Sequence, residues 1–465
     1  MELHYLSLLE VSDLIRRREV SSREVTQALL ARIERLEPQL NSVLMLLADQ
    51  ALEAAQQADA EIARGQWRGP LHGVPLGIKD LHWTKGLPTT GGMELLGDFR
   101  PKEDASVVAR LKRAGAVILA KLHMTEGALI DHHPAFARPS NPWSADHWTG
   151  VSSSGSGAAT AAGFCYGATG TDTGGSIRMP SAANSLTGIK PTWGRVSRHG
   201  LVHLSESLDH IGPMARSAGD AAAMLQAMAG PDPRDPTALL APVPDYLAEC
   251  GRDISDLTIG IDWDYASGGL EPEIGESLRR AAASFAELGA SVRDIRVPWS
   301  EDDVAATHGM FGAEALTAHA GMFPEHAERY GPRTRTMFEA YGKVDPATTA
   351  RGYQARDRLK GRMAALFREV DLLLLPGLGK LLPRWDEIDA MFSSLDDARK
   401  ILLRFNSPFN AAGLPTISLP AGFTGGGLPI GTQLVGPWLA EPVLIRAGAA
   451  FQRVTDHHTR RPALG

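Results

Sequence analysis

Apolar residues recur along this chain in two rhythms, and the switch between them predicts its elements. In "SSREVTQALLARIERL", Val25, Leu29, Ile33 and Leu36 fall three or four positions apart, which lines one face of a helix. Ser21 followed by Glu24 marks its start as a capping box. Residues 43–64 are rich in alanine and good helix formers and stop at Gly65, so the first 65 residues read as helical. Beyond them helix and strand patterns alternate. "DASVVARLKRAG" predicts a helix opened by Asp104 and closed by Gly115, running into the apolar strand "AVILA". "EIGESLRRAAASFAELG" before "ASVRDIRV" repeats the device. "LTIGI", "VDLLLLP", "PTISLP" and "PIGTQLVG" are further apolar runs bounded by turn residues. Buried strands linked by helices predict an α/β protein with a single large mixed β-sheet flanked by helices.

No repeat of fixed period divides the chain. Proline is dense in residues 230–256, the best linker candidate. The stretch from about 300 to 400 is less regular and rich in Met, Phe and Tyr, and reads as a helical elaboration on the sheet. The expectation is one domain over 1–465, with an N-terminal helical segment 1–65 and a variable helical pocket region at about 300–400. With 43% hydrophobic and 22% charged residues over 465 positions, the composition is that of a globular protein. A net charge of −7 leaves no basic surface for nucleic acid. Two cysteines, Cys165 and Cys250, argue against a disulfide framework and fit a reducing cytoplasm. The N-terminus has no basic region before an apolar core, so no signal peptide is expected. No window reaches about 18 uninterrupted apolar residues, so no membrane span is expected either.

The chemistry concentrates in "TGVSSSGSGAATAAGFCYGATGTDTGGSIRMPS", residues 149–181. Its serine, glycine and alanine density could belong to a flexible linker, but "AATAAG" has a helix pattern and the ending "TDTGGSIRMPS" is charged and ordered. A phosphate loop would need Gly-Lys-Ser/Thr after the glycines, and none follows. The G-x-S-x-G elbow is absent too. Two glycines before Ser176 let consecutive N–H groups point at one spot, as a tetrahedral oxyanion requires. A serine hydroxyl beside them is an acyl-transfer nucleophile if a base reaches it. His132, His133, His457 and His458 lie in two "DHH" runs without zinc-like spacing. Surface or packing roles are the better reading for them. Lys79, in "LHGVPLGIKDLHW", is the more telling base; by its residues alone a surface lysine paired with a carboxylate is the usual reading, and the surrounding pattern decides against it.

The segment 149–181 resembles the defining segment of the amidase signature family, and "LHGVPLGIKD" resembles that family's lysine motif. "SNPWS", "GIKPTWGRVSRHG", "SLDHIGPMARS" and "FNSPFNAAGLPTISLPAGF" are similar to further landmarks. The resemblance covers nearly the whole chain and is weakest between about 230 and 400. It implies a Ser–cisSer–Lys triad, with Ser176 as nucleophile and Lys79 as base. The family's spacing, counted back 24 residues from Ser176, selects Ser152 as the bridging serine and leaves Ser153 as a supporting hydroxyl. The N–H groups of Thr173, Gly174, Gly175 and Ser176 are the implied oxyanion hole. Asp172 and Arg178 tie the loop down. No metal or organic cofactor is implied.

These readings give a cytoplasmic amidase, monomer or homodimer, with a small-molecule amide, ester or carbamate as substrate. Neither nucleic acid nor membrane is expected as a partner. Met310, Phe311, Met322, Phe323, Tyr330, Met337, Phe338, Tyr341, Met391 and Phe392 suit an adaptable apolar pocket. They point to neutral aromatic or bulky apolar substrates, in the manner of an aryl acylamidase or urethanase. The alternatives are the glutaminase (A) subunit of a tRNA-dependent amidotransferase and a catalytically silent scaffold.

Overall fold

The computed structural model describes residues 2–392 and 402–464. Met1, Gly465 and residues 393–401, and with them the end of the expected 300–400 region, lie outside the described residues. Eleven strands form one sheet: β1 Val43–Leu46, β2 Pro75–Lys79, β3 Val117–Leu122, β4 Gly167–Asp172, β5 Thr187–Lys190, β6 His210–Ala215, β7 Thr258–Ile261, β8 Ser291–Asp294, β9 Leu372–Pro376, β10 Thr416–Phe423 and β11 Pro429–Val435. Their order is β1-β3-β2-β4-β6-β5-β10-β11-β9-β7-β8. Strands β3, β2 and β4 run parallel, as do β9, β7 and β8, while the strands between them pair antiparallel. The sheet is mixed. Every residue of β2, β3, β4, β5, β6 and β9 is buried, as expected of strands covered by helices on both faces.

The capping box at Ser21 forms as read: Ser21 accepts from the Glu24 amide and Glu24 reaches back to the Ser21 N–H at 2.8 Å. Val25, Leu29, Ile33 and Leu36 are buried beneath that helix. Three expectations need correction. Residues 43–46 are not helical: β1 pairs antiparallel with β3 and the helix begins only at Ala48. The pairing satisfies the backbone groups along the flank of β3, and that gain outweighs the helix propensity of Leu and Met. Asp104 does not cap the helix Ser106–Arg113, whose cap residue is Ala105. Its carboxylate takes the Lys85 N–H and the Lys112 ammonium, both at 2.8 Å. Nor is 230–256 a free linker. Arg195 donates to the Ala241 and Pro242 carbonyls at 2.9 and 2.7 Å, and Tyr246 is fully buried. The prolines remove N–H donors, which lets the segment lie against the body with few groups left to satisfy.

Candidate active site

The serine-rich stretch is a buried structural unit. The Val151–Ser152 peptide is cis, a helix runs Ser154–Ala161, β4 follows, and a loop at 173–177 leads into the helix Arg178–Ala183. All residues of both helices are buried. Small side chains are required there because the backbones nearly touch. A Cβ on Gly155 would sit 2.6 Å from the His123 backbone and the Ser42 carbonyl, and one on Gly157 would sit 2.6 Å from Asn184.

Lys79 ends β2, fully buried, with its N–H bonded to Thr169 Oγ1 at 3.0 Å. Its Nζ lies 2.7 Å from Ser152 Oγ, 3.0 Å from Ser153 Oγ and 2.7 Å from Thr171 Oγ1. Burial pushes its pKa down to about 7, against the partial pull of Asp172 and Asp209, so the amine is substantially neutral at physiological pH. Thr171 is a member of this ring that the sequence reading missed. Its only signal is that it stands two residues after Thr169 in "GATGTD", so both side chains point to one face of β4. Ser153 also donates to the Ser176 carbonyl at 2.5 Å, which ties the lysine pocket to the backbone of the expected nucleophile. No hydrogen bond joins Ser152 to Ser176 among the described residues. Such contacts commonly close only when substrate is seated.

Asp172 holds the loop. Its carboxylate accepts from the N–H groups of Gly175 at 2.7 Å and Ile177 at 3.1 Å, from Arg178 Nε and Nη2 at 3.0 and 2.9 Å, and from Asn410 Nδ2 at 2.8 Å. Burial alone would raise its pKa, but the Arg178 charge holds the carboxyl well below the usual range. Asn406 and Asn410, from the motif "FNSPFNAAGLP", complete the grip through the Arg178 guanidinium. Thr173 is pinned by its hydroxyl to Asp209 Oδ1 at 2.6 Å. The Gly175 N–H, expected in the oxyanion hole, is thus engaged by Asp172. The amides of Thr173, Gly174 and Ser176 have no hydrogen-bond partner among the described residues. At φ +131° Gly175 occupies a region that side chains rarely adopt, and a Cβ there would meet Met179 at 2.7 Å.

Thr173, Gly174 and Ser176 line a cleft of about 1050 Å³ of empty space, mouth included. Ala128–Ile130 and Val151, Phe311, Met337 and Tyr341, and Phe392, Leu402 and Leu403 are among the residues that line it. Of the ten Met and aromatic residues expected there, Phe311, Met337, Tyr341 and Phe392 line the cleft. Met310, Tyr330, Phe338 and Met391 are buried in the core, and Met322 and Phe323 pack against it. No Asp, Glu, Lys or Arg among the described residues lines the cleft; His308 does.

His132 and His133 stand outside the cleft lining. His132 is buried with Nε2 2.9 Å from Ser154 Oγ, and burial pushes its pKa down to about 3. His133 is buried too, and no histidine bonds to Ser152, Ser153 or Ser176 among the described residues. There, no group of three His, Cys, Asp or Glu could hold a metal ion, and no helix is long and apolar enough to cross a membrane.

A family model described as amidase matches residues 24–445. AmiD of Mycobacterium tuberculosis (strain ATCC 25618 / H37Rv), a protein assigned as an amidase, is 44% identical over 457 residues, which cover 98% of this chain and 96% of that protein. The glutamyl-tRNA(Gln) amidotransferase of Moorella thermoacetica has an A-type subunit that is 40% identical over 493 aligned positions, covering 100% of both chains. The crystal structure of a bacterial aryl acylamidase of the amidase signature enzymes superposes with a TM-score of 0.87 at 26% identity, over 99% of this chain and 100% of that one.

Proposed function

The chain belongs to the amidase signature family of hydrolases, and from that premise we propose that it cleaves the C–N bond of small neutral amides bearing an aromatic or bulky apolar group, with aryl esters and carbamates as further substrates. One observation carries the reading: a buried, hydroxyl-ringed Lys79, its pKa lowered by burial to about 7, is tied through Ser153 to the backbone of Ser176, which lines an apolar cleft.

Lys79 takes a proton from Ser152 while Ser152 takes one from Ser176, whose Oγ attacks the substrate carbonyl carbon. Charge builds on the carbonyl oxygen, and the amides of Thr173, Gly174 and Ser176 are its donors; the tethers from Asp172 and Asp209 hold them in place before reaction. The relay returns the proton to the departing amine, the C–N bond breaks, and an acyl-enzyme remains on Ser176. Water, activated by the same relay, releases the acid. Ser153 and Thr171 orient the amine, and Asp172 and Arg178 shape the loop.

The 40% identity to the amidotransferase protein favours a second reading, glutaminase. Glutamine carries an ammonium and a carboxylate, and an unpaired charge in an apolar cleft is costly. The described lining supplies no charged partner for either, which supports the neutral substrate. Fluorophosphonate treatment should attach the phosphonyl group to Ser176 Oγ with loss of fluoride, read as that mass increment. Turnover by the isolated chain should favour an anilide over glutamine in kcat/KM, and the reverse order would establish the glutaminase.

A further inference from the structure

Outside the lysine pocket, a ring of four charges joins three chain segments that contribute residues to the cleft. Arg333, on the helix Pro332–Tyr341, places Nη1 2.9 Å from Asp389 Oδ1 and 3.1 Å from Asp131 Oδ2, and donates from Nη2 to the Asp389 carbonyl at 3.2 Å. Arg138 closes the ring with Nη2 3.0 Å from Asp131 Oδ1 and 3.1 Å from Asp389 Oδ1. Each carboxylate is therefore held by two guanidiniums.

The ring reaches the cleft by three routes. Asp131 follows the wall segment Ala128–Ile130. Asp389 lies on the helix Trp385–Met391, which delivers Phe392. Arg333 shares a helix face with Met337 and Tyr341, four and eight positions on, and its guanidinium lies over the Phe392 ring at 5.8 Å. Within the ring, Arg333 is the member that touches all three. With side chains 30%, 17% and 38% exposed for Arg333, Asp131 and Asp389, these pairs add little stability. A planar guanidinium fork fixes orientation instead, since its N–H groups donate to carboxylates near its own plane.

We propose that Arg333 is a positioning residue that sets the width of the cleft, and with it the size of the group accepted beside Ser176, by holding Phe392 and Met337 against the Ala128–Ile130 wall. The inference rests on the cleft being the substrate site. Its test is the rate of Ser176 labelling by a small alkyl and a bulky aryl fluorophosphonate, in the full chain and in Arg333→Met, Arg333→Lys and Asp389→Asn. Loosening the ring should shift the ratio of the two rates toward the bulky reagent by about tenfold in Arg333→Met. Asp389→Asn should shift it the same way and Arg333→Lys should shift it less. For anilides, KM should rise with kcat nearly unchanged. An unchanged ratio in labelled variants overturns the role of Arg333 alone, as does an equal loss with both reagents, which is the mark of general destabilisation. Failure of the parent chain to label at Ser176 removes the nucleophile itself, and the inference with it.

Discussion

A lysine amine enclosed by three hydroxyls has a different proton affinity from one in water, and that difference governs the chemistry proposed for Ser176. Ser176→Ala should lower kcat by a factor on the order of 10⁶, and Lys79→Ala should be comparably severe; an ester or anilide assay on folded protein checks both. Only the neutral amine accepts a proton. With Lys79 at about 7, kcat/KM should rise with pH through a midpoint near that value and fall about tenfold per unit below it. A charged ammonium donates to Ser152, Ser153 and Thr171 together, so Thr171→Val withdraws an acceptor from the charged form. The midpoint should then move down by about one unit; an unmoved pH profile would detach Thr171 from the base. Lys79, Ser152, Ser176, Asp172 and Arg178 were legible through the family resemblance. Thr171 was not, because threonine is ordinary in strands and only the packing of β4 against β2 aims it at the lysine.

At the level of elements, the loop at 173–177 owes its shape to one carboxylate. Arg178→Met would leave Asp172 buried without its cation, and breaking a buried pair from one side costs about 3–5 kcal/mol. Thermal unfolding should register that loss, and Ser176 labelling should slow because the carboxylate that anchors the amides of Gly175 and Ile177 loses the guanidinium that holds it. Unchanged stability would mean that Asn410 and the backbone donors suffice. The strands β3, β7 and β9 were readable because strands buried on both faces need near-continuous apolar runs, and β10 and β11 because short, largely apolar segments there are bounded by turn residues. β1 was not, since "VLML" suits a helix equally well and only the open flank of β3 selects the strand. Asp104 departs from its expected role for a similar reason: an aspartate near a helix start is a cap only when no lysine claims it first.

For the whole molecule, the apolar cleft assembles from segments around 128, 311, 337 and 392 that share no local pattern. Phe311→Ala should raise KM for an anilide by about tenfold, as expected for removing one aromatic wall, while leaving the pH midpoint in place. If KM for anilides holds steady, Phe311 belongs to the core instead. By itself the sequence determined the mixed α/β sheet, through apolar periodicity, and singled out Ser152, Ser176, Lys79 and the Asp172–Arg178 pair, through short ordered motifs that resemble those of the amidase signature family. The tertiary structure decided that Lys79 is buried beside Thr171, that Asp172 occupies the Gly175 amide, and which four of ten Met and aromatic residues face the cleft. Burial, hydrogen-bond partners and cavity walls are properties of neighbours in space, and residues far apart in the chain become neighbours only when the sheet and its helices close over them.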